Sequence, residues 1–378
     1  MRQDFVVSAQ SNEAMSAVPF ALEARDISVV LGGWKVLEVS SLQVLPNEVL
    51  VIIGPNGSGK TTLLLTLAGL LKPASGTILY QGQAAKSRAE MLRLHRRLAV
   101  VFQEPLLLNS TVWDNVTLGL RLRGINKEEI KPRAAKWLER FGIASLAGRQ
   151  ARTLSGGEAK RTSLARAFAV QPDILFLDEA FNGLDSHSRQ LIIEDFESVL
   201  RETKVTTIMV THDSNEALAL AHRVVVLMDG HIRQIGSREE VFSDSVDEQV
   251  ATFVGVENII CGVVASNQEG IVAVNADRNV IEAVSNYAAG AEVSLLIRPE
   301  EITLAGSKAS SSARNSFAGE ITRVVSFGAL TRVEMDCGFP LVALITKRSA
   351  EEMELDKGKP IYASFKATGV HIIKREEN

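Results

Sequence analysis

The sequence predicts an α/β domain built on a largely parallel sheet, followed by a smaller all-β domain. From residue 21 to about 236, short apolar runs alternate with amphipathic stretches, a pattern typical of strands and helices in an α/β fold. Further on, the chain changes to short β-like runs with a break rich in serine and alanine at 305–316. The predicted parts are a disordered extension at 1–20, an α/β domain at 21–255 and a β domain at 256–378.

Composition disfavours several classes of protein. The 378 residues carry a net charge of −4, which gives no electrostatic reason to expect a nucleic-acid partner. Cys261 and Cys337 are too few for a disulfide framework or a cysteine metal site, and they fit a reducing compartment. The longest apolar runs, such as 49–54, fall far short of the roughly 18 residues of a membrane span, so we expect a chain that does not cross a bilayer.

Five apolar runs predict buried strands, and each ends in a polar residue or a glycine. Ligands of open α/β sheets bind at the carboxyl ends of the strands, so these ends predict the site. Between residues 105 and 153 helical patterns interrupt the alternation, which predicts an inserted helical subdomain. The predicted strands are VLVIIG (49–54), RLAVVFQ (97–103), DILFLDE (173–179), TTIMVTHD (206–213) and RVVVLMDG (223–230).

A glycine-rich phosphate-binding loop follows the first of these strands. The run GPNGSGKT at 54–61 fits G-x-x-x-x-G-K-[ST] between an apolar strand and an apolar helix start. Its glycines let backbone amides wrap phosphates, Lys60 reaches the β- and γ-phosphates, and the Thr61 hydroxyl meets Mg²⁺. The predicted nucleotide contacts are Gly54, Pro55, Asn56, Gly57, Ser58, Gly59, Lys60, Thr61 and Thr62.

Polar residues at three other strand ends complete a candidate catalytic set. Asp178 is held at the end of a buried strand, which suits a Mg²⁺ ligand, and Glu179 is placed to polarise an attacking water. His212 ends another strand and is a candidate for contact with the γ-phosphate, with a purely structural histidine as the alternative. Gln103 ends a fourth strand and carries less weight by itself.

A second phosphate-binding device lies about a hundred residues downstream, in LSGGE at 154–158. A Ser-Gly-Gly run that enters a helix presents backbone N–H groups, a hydroxyl and the positive end of the helix dipole. The alternative is that Ser155 only caps the helix. One chain therefore carries two candidate phosphate sites.

The full set of motifs resembles the ATP-binding subunits of ABC transporters over about residues 21–255. Walker A, the Q-loop Gln103, the signature LSGGE, Walker B, a D-loop at 183–185 and the switch His212 occur in that family's order. The resemblance implies a P-loop ATPase fold and a homodimer in which the signature of one chain closes on the ATP held by the other. The implied roles are catalytic for Glu179, His212 and Gln103, Mg²⁺-binding for Thr61, Gln103 and Asp178, and ATP-binding in the partner's site for Ser155, Gly156 and Gly157.

Two positions depart from that family's pattern. The aromatic residue that usually stacks on adenine corresponds to Leu31, with Trp34 three residues later, so which residue stacks is open. The proline that usually follows the Walker B glutamate is Ala180, a change that loosens the loop without removing a chemical group.

The β domain resembles the C-terminal barrels, OB-like and of the TOBE or Mop type, carried by import ATPases. TFVGVENIICG (252–262) and LLIRPEEITL (295–304) carry this resemblance, which implies membrane permease subunits, an extracytoplasmic substrate-binding protein and a place on the cytoplasmic face of the membrane. SARNSFAGEI (312–321) and FKATGVHII (365–373) resemble molybdate- and tungstate-binding modules, with Ser312, Arg314 and Lys366 as candidate oxyanion ligands. Two alternatives stay open: an importer of a sugar, polyamine, iron or sulfate with a regulatory barrel, and an ATPase-linked oxyanion sensor.

A weak internal repeat predicts that the β domain has two lobes. Asn258-x-x-x-Gly262 matches Asn315-x-x-x-Gly319, and the segment from Gly290 aligns with the segment from Gly358. Chance similarity between β-rich segments is the alternative.

Overall fold

The computed structural model describes residues 20–308 and 311–375. Apart from Phe20, the predicted N-terminal extension therefore lies outside the described residues. Contacts divide the chain into two compact units. The first contains the described residues up to Ile52 together with 59–211 and 229–231, and the second contains 53–58, 212–228 and the chain from Ile232 onward.

The strands and helices follow one another as follows. The strands are β1 (Leu22–Leu31), β2 (Trp34–Val44), β3 (Val49–Ile53), β4 (Ser75–Tyr80), β5 (Leu98–Val101), β6 (Ile174–Asp178), β7 (Thr206–Val210), β8 (Arg223–Met228), β9 (His231–Ser237), β10 (Asn258–Gln268), β11 (Ile271–Ala276), β12 (Asn279–Val284), β13 (Glu292–Ile297), β14 (Thr303–Ala305), β15 (Asn315–Phe327), β16 (Leu330–Asp336), β17 (Pro340–Thr346), β18 (Pro360–Phe365) and β19 (Val370–Lys374). The helices are α1 (Lys60–Leu67), α2 (Arg88–His95), α3 (Val112–Leu122), α4 (Lys127–Arg140), α5 (Gly156–Ala169), α6 (Ser186–Thr203), α7 (Ser214–Leu220), α8 (Arg238–Ser243), α9 (Glu248–Phe253) and α10 (Lys347–Glu352).

The first unit contains four of the five strands that the apolar runs predict, since the fifth, β8, belongs to the second unit. Strands β3, β7, β6 and β5 lie side by side in parallel, and every residue of β3, β6 and β7 is buried. Burial on both faces explains why these strands read as continuous apolar runs instead of alternating ones. In register, Asp178 at the end of β6 lies opposite Val210 at the end of β7, so the polar residues that follow lie at one edge.

Strands β1, β2 and β4 form an antiparallel part of the same sheet, which the sequence did not predict. Strands β1 and β2 form a hairpin around Gly32 and Gly33, and β4 pairs with the other side of β1. Both glycines have a positive φ, the backbone region that a two-residue hairpin turn requires. The turn pairs Leu31 with Trp34, the two candidates for adenine stacking.

The predicted helical insertion is confirmed between β5 and β6. Helix α3 begins at the N-cap Thr111, whose side chain accepts a hydrogen bond from the Asp114 amide. Helix α4 packs with α5 through an aromatic cluster, in which the Trp137 and Phe168 ring centroids lie 4.9 Å apart. Among the described residues, no helix is both long and apolar enough to cross a membrane.

The second unit contains the predicted β domain as two five-stranded antiparallel sheets. Their strand orders are β12-β11-β10-β13-β19 and β14-β18-β15-β16-β17. Each half of the domain forms four strands of its own sheet and gives its last strand to the other sheet. The two halves are thus interlocked by strand exchange around one buried core.

Matched side-chain contacts occur at the two positions that the internal repeat aligns. The side-chain amide of Asn258 bonds both the N–H and the C=O of Val342, at 2.6 and 3.0 Å, and Asn315 bonds both groups of Glu282, each at 2.8 Å. Both asparagines are buried, so each satisfies the backbone of a strand in the opposite sheet. Chance similarity does not explain two matched side-chain clamps at equivalent positions.

Candidate active site

The glycine-rich loop lies in the second unit and forms a backbone cradle. A Cβ on Gly54 would lie 2.0 Å from the carbonyl oxygen of Leu227, so only glycine fits there. Gly57 has φ +83°, and the Ser58 amide donates to the Pro55 carbonyl at 3.2 Å. Among the described residues, the buried Ser58 Oγ has no hydrogen-bond partner. A buried hydroxyl without a partner beside a glycine turn fits a bound phosphate, which would supply the missing acceptor.

Lys60 and Thr61 start α1 in the first unit. Gly59 caps the helix in the left-handed conformation, with φ +97°. The Lys60 side chain is buried, and this burial lowers its pKa, while the carboxylates of Glu179 and Asp178 oppose the shift. A desolvated cation that faces two carboxylates is suited to neutralise phosphate charge.

Thr61 and Asp178 form a ready pair of oxygen ligands. The Thr61 hydroxyl donates to Asp178 Oδ1 at 2.8 Å, and Asp178 is buried at the end of β6. Burial raises the pKa of Asp178, and the Thr61 hydrogen bond opposes this shift. A hydroxyl and a carboxylate are the hard oxygen donors that Mg²⁺ takes in nucleotide sites, so both residues fit that ion.

Glu179 follows directly and is held in an unusual backbone conformation. Its φ is +43°, which is uncommon for a residue with a side chain, and its amide donates to the Val210 carbonyl at 3.0 Å. The Asn182 side-chain amide donates to Glu179 Oε2 at 3.0 Å. The sequence analysis missed Asn182, whose signal is only its position three residues after Glu179. The strained turn and this hydrogen bond fix the direction of the carboxylate.

Gln103 and His212 both follow strand ends. Gln103 lies two residues beyond β5, and its carbonyl accepts a hydrogen bond from the buried Lys160 of α5. Lys160 was also missed, because a lysine inside an amphipathic helix is usually solvated. His212, in the second unit, comes two residues after β7 and two before α7.

The signature segment caps α5. Ser155 and Glu158 form a capping box, with the Glu158 amide bonded to Ser155 Oγ at 3.3 Å and the Ser155 amide bonded to Glu158 Oε2 at 2.7 Å. Within the part of the chain that is described, a Cβ on Gly157 would meet nothing within 4 Å, and one on Gly156 would only touch Leu184 Cδ2 at 4.0 Å. Ser155 therefore caps α5. The fold of the described chain leaves room for a side chain at Gly156 and Gly157, so it does not require glycine at either position.

The candidate oxyanion residues lie at the surface of the β domain. Ser312, Arg314 and Lys366 carry the predicted donors, and Arg314 Nη1 contacts Glu282 Oε2 at 3.1 Å. Asn315 pairs with Phe365 across β15 and β18, so Arg314 and Lys366 leave this strand pair at the same end. Arg314 and Lys366 therefore occupy neighbouring positions at this end of the strand pair, and the Glu282 carboxylate contacts Arg314.

The adenine-stacking candidates are also exposed. Trp34 is 78% exposed and Leu31 44% exposed at the hairpin turn. Both side chains are available to a ligand, and the larger exposed apolar surface belongs to Trp34.

The parallel sheet, the glycine cradle and the strand-end carboxylates define a P-loop ATPase. Residues 37–182 match the ABC transporter family and residues 311–372 match the TOBE domain. The chain is 36% identical over 334 residues to the molybdate/tungstate import ATP-binding protein WtpC of Pyrococcus abyssi, covering 88% of this chain and 94% of that one. It belongs to the ATP-binding proteins of ABC importers, and it is an ATPase.

Two further comparisons concern the transported solute and the fold. The chain is 31% identical over 361 residues to the spermidine/putrescine import ATP-binding protein PotA of Ruegeria pomeroyi, covering 94% of this chain and 96% of that one. A solved structure, cbiO1 from Clostridium perfringens, described as part of the ABC transporter complex cbiONQ, superposes with a TM-score of 0.56 at 29% identity. It covers 63% of this chain and 96% of that one, which confirms the predicted fold. Relatives named for different solutes have similar identities.

Proposed function

We propose that two copies of this chain share each ATP, with the glycine-rich loop of one copy and Ser155, Gly156 and Gly157 of the other on opposite sides of the nucleotide. The observation that supports this is the unexplained pair of glycines at the start of α5. Glycine lowers helix stability by about 0.5–1 kcal/mol relative to alanine, and here a Cβ would meet no obstacle within the described chain. A phosphate that approaches these amides from a second copy gives the missing reason, because a methyl group would separate them.

In this proposal the residues of the first unit prepare the γ-phosphate for hydrolysis. Lys60 neutralises phosphate charge, and Thr61, Asp178 and Gln103 hold Mg²⁺, which supplies further charge neutralisation when it is bound. Glu179 accepts the proton of the attacking water, with its carboxylate oriented by Asn182. His212 contacts the γ-phosphate and senses its presence.

We propose further that this ATPase acts at the cytoplasmic face of the membrane, where it drives permease subunits that receive solute from an extracytoplasmic binding protein. The names of the relatives as import proteins support this role. In a reconstituted system, ATP hydrolysis should rise when the permease and the loaded binding protein are both present. If hydrolysis does not respond to the permease and the binding protein, and an oxyanion controls another target through this chain, the alternative function of an ATPase-linked oxyanion sensor is favoured.

The proposed solute is molybdate or tungstate, and the proposed site on the β domain contains Ser312, Arg314 and Lys366. A hydroxyl and two cations match a tetrahedral dianion, and the neighbouring positions of Arg314 and Lys366 support their convergence. Glu282 lowers the affinity of this site for an anion, because its carboxylate already contacts Arg314. An anion must compete with that carboxylate.

Titration calorimetry on the full-length chain tests this assignment. We expect tungstate and molybdate to bind more tightly than sulfate, since fixed donors set for longer metal–oxygen bonds cannot contract around the smaller ion. Lys366→Ala should abolish the heat of binding, whereas Arg348→Ala should not, because Arg348 is an exposed arginine paired with Glu352 on α10. If none of the three anions binds, and neither molybdate nor tungstate changes ATP hydrolysis, the oxyanion assignment is wrong and an importer of another solute replaces it.

A further inference from the structure

Two arginines of the second unit each hold the carboxyl end of a short helix. Arg238 Nη1 donates to the Leu218 carbonyl of α7 at 2.6 Å, and the Arg298 guanidinium donates to the Phe242 carbonyl of α8. The last carbonyls of a helix lack partners within the helix and carry the negative end of its dipole. A guanidinium at that position satisfies both the hydrogen bond and the charge.

Several contacts position Arg238 at the start of α8. It is the first residue of α8, immediately after the N-cap Ser237, and Ser237 and Glu240 form a capping box. The remaining guanidinium nitrogens bond Glu239, at 2.9 and 3.1 Å. Because Arg238 belongs to α8 and bonds the Leu218 carbonyl, a movement of α8 shifts Arg238 and with it the end of α7.

Three described residues of the β domain form hydrogen bonds with the segment around α8 and α9. Besides Arg298, His371 Nε2 lies 3.2 Å from the Ser245 carbonyl, and Ser294 Oγ donates to Glu248 Oε1 at 2.5 Å. Arg298 and Lys366 are each eight residues after the equivalent glycines Gly290 and Gly358. The residue that holds α8 is therefore the repeat counterpart of a candidate oxyanion ligand.

Helix α7 connects these contacts with the candidate catalytic residues. It begins at Ser214, two residues after His212, and the N-cap Asp213 accepts a hydrogen bond from the Asn215 amide at 2.8 Å. The segment from His212 to Leu218 is thus held at its far end by Arg238. A shift of α7 along its axis changes where His212 lies.

We propose that Arg298 and Arg238 form a relay from the β domain through α8 to α7, and that both are positioning residues for His212. The state of the β domain then sets the rate of ATP hydrolysis without a change in nucleotide affinity. This inference rests on the proposed catalytic role of His212.

Hydrogen exchange on the full-length chain tests the relay itself. In Arg298→Ala the amides of α7 should exchange faster, although the Arg298 contact described above is with α8. Arg348→Ala is the matched control, an exposed arginine of the same domain, and it should leave α7 unchanged. Faster exchange confined to α8 would show a local role for Arg298 and overturn the relay. If Arg298→Ala lowers the yield of folded protein, Arg298→Gln, which keeps a polar side chain but loses the charge and the reach of the guanidinium, is measured against the same two outcomes.

Steady-state kinetics tests the link to His212. We expect Arg238→Ala and Arg298→Ala to lower kcat by about two- to thirtyfold, with KM for ATP and nucleotide affinity unchanged. Arg298→Lys should restore part of the rate, and the double variant should be no slower than the slower single variant, because both act in one path. Independent, multiplying effects would overturn the relay. Faster α7 exchange with a normal kcat would support the relay and remove His212 from the proposed mechanism.

Discussion

At the scale of single residues, the site holds buried charges that the nucleotide-free chain stabilises poorly. Asp178 and Lys60 are both buried, and burial shifts each pKa toward the neutral form. Such groups are kept at a cost in stability when they perform chemistry. Mg²⁺ and phosphate are the charges that would compensate them, so the site is built for its ligands more than for the empty chain.

Replacing Asp178 by asparagine should reveal this cost. The pKa of Asp178 is raised on folding, so the native chain loses stability as pH rises above about 4, the ordinary carboxyl value, and the loss persists at neutral pH. The neutral amide introduced by Asp178→Asn avoids this loss and can still accept the Thr61 hydrogen bond. Without nucleotide or Mg²⁺, the amount by which the thermal midpoint of Asp178→Asn exceeds that of the wild type should grow as pH rises from about 4 to the raised native pKa and stay constant above it, while stabilisation by Mg²⁺ and ATP disappears. A wild type that gains on the variant with rising pH would contradict the account.

Glu179→Gln should bind ATP normally and lose turnover. The amide keeps the shape of the side chain but cannot accept a proton from water, and loss of a general base costs about 10² to 10⁴-fold in rate. Hydrolysis by the purified variant, compared with its nucleotide affinity, gives the answer. A near-normal rate would remove Glu179 from this role.

Gly157→Ala tests whether glycine is required at this position for folding or for ATP hydrolysis with a second copy of the chain. A Cβ meets nothing within the described chain, so the free energy of unfolding should be unchanged or raised by up to ~1 kcal/mol. Hydrolysis should fall by about tenfold or more, because the methyl group lies between the amides and the partner's phosphates. Gly148→Ala is the control, since a Cβ on Gly148 also meets no neighbour within 4 Å in the described chain. Equal activities of the two variants would remove the signature glycines from nucleotide binding.

At the scale of strands and helices, the repeat is held together by side chains that bond the backbone of the opposite sheet. Asn315→Ala should destabilise the chain by about 1–3 kcal/mol, because the N–H and C=O of Glu282 both lose their partner. Urea unfolding measures this, with the exposed Asn275→Ala as the control. An Asn315→Ala midpoint equal to that of the control would show that the clamp contributes nothing.

The elements that the sequence predicted well are those that are buried on both faces. Strands β3, β6 and β7 show as apolar runs because both faces pack, and their polar ends follow from the parallel arrangement. The hairpin of β1 and β2 was not predicted, since strands with one exposed face give a weaker hydrophobic pattern than strands buried on both faces. The repeat was visible through Asn258 and Asn315, but strand exchange was not, because the apolar pattern of β14 and β19 does not record which sheet each strand joins.

At the scale of the whole molecule, motifs indicate the candidate site residues but not the contacts that support them. The glycine loop, Asp178 and Glu179 have fixed spacings that the chemistry requires. Asn182, Lys160, Arg238 and Arg298 act through contacts with groups that are mostly distant in sequence, which no local pattern records. The contact between the Glu282 carboxylate and Arg314 is likewise between groups distant in sequence.

The central claim is that two chains share each ATP, and purified heterodimers carrying two different affinity tags test it most directly. Ser155→Arg damages the signature and Lys60→Ala damages the loop, so each homodimer should be inactive. A heterodimer of these two variants contains one intact composite site and should hydrolyse ATP, whereas a heterodimer of wild type with the doubly substituted chain has one lesion in every site and should not. Activity in the second heterodimer and none in the first would show that each chain hydrolyses ATP alone, and would contradict the account.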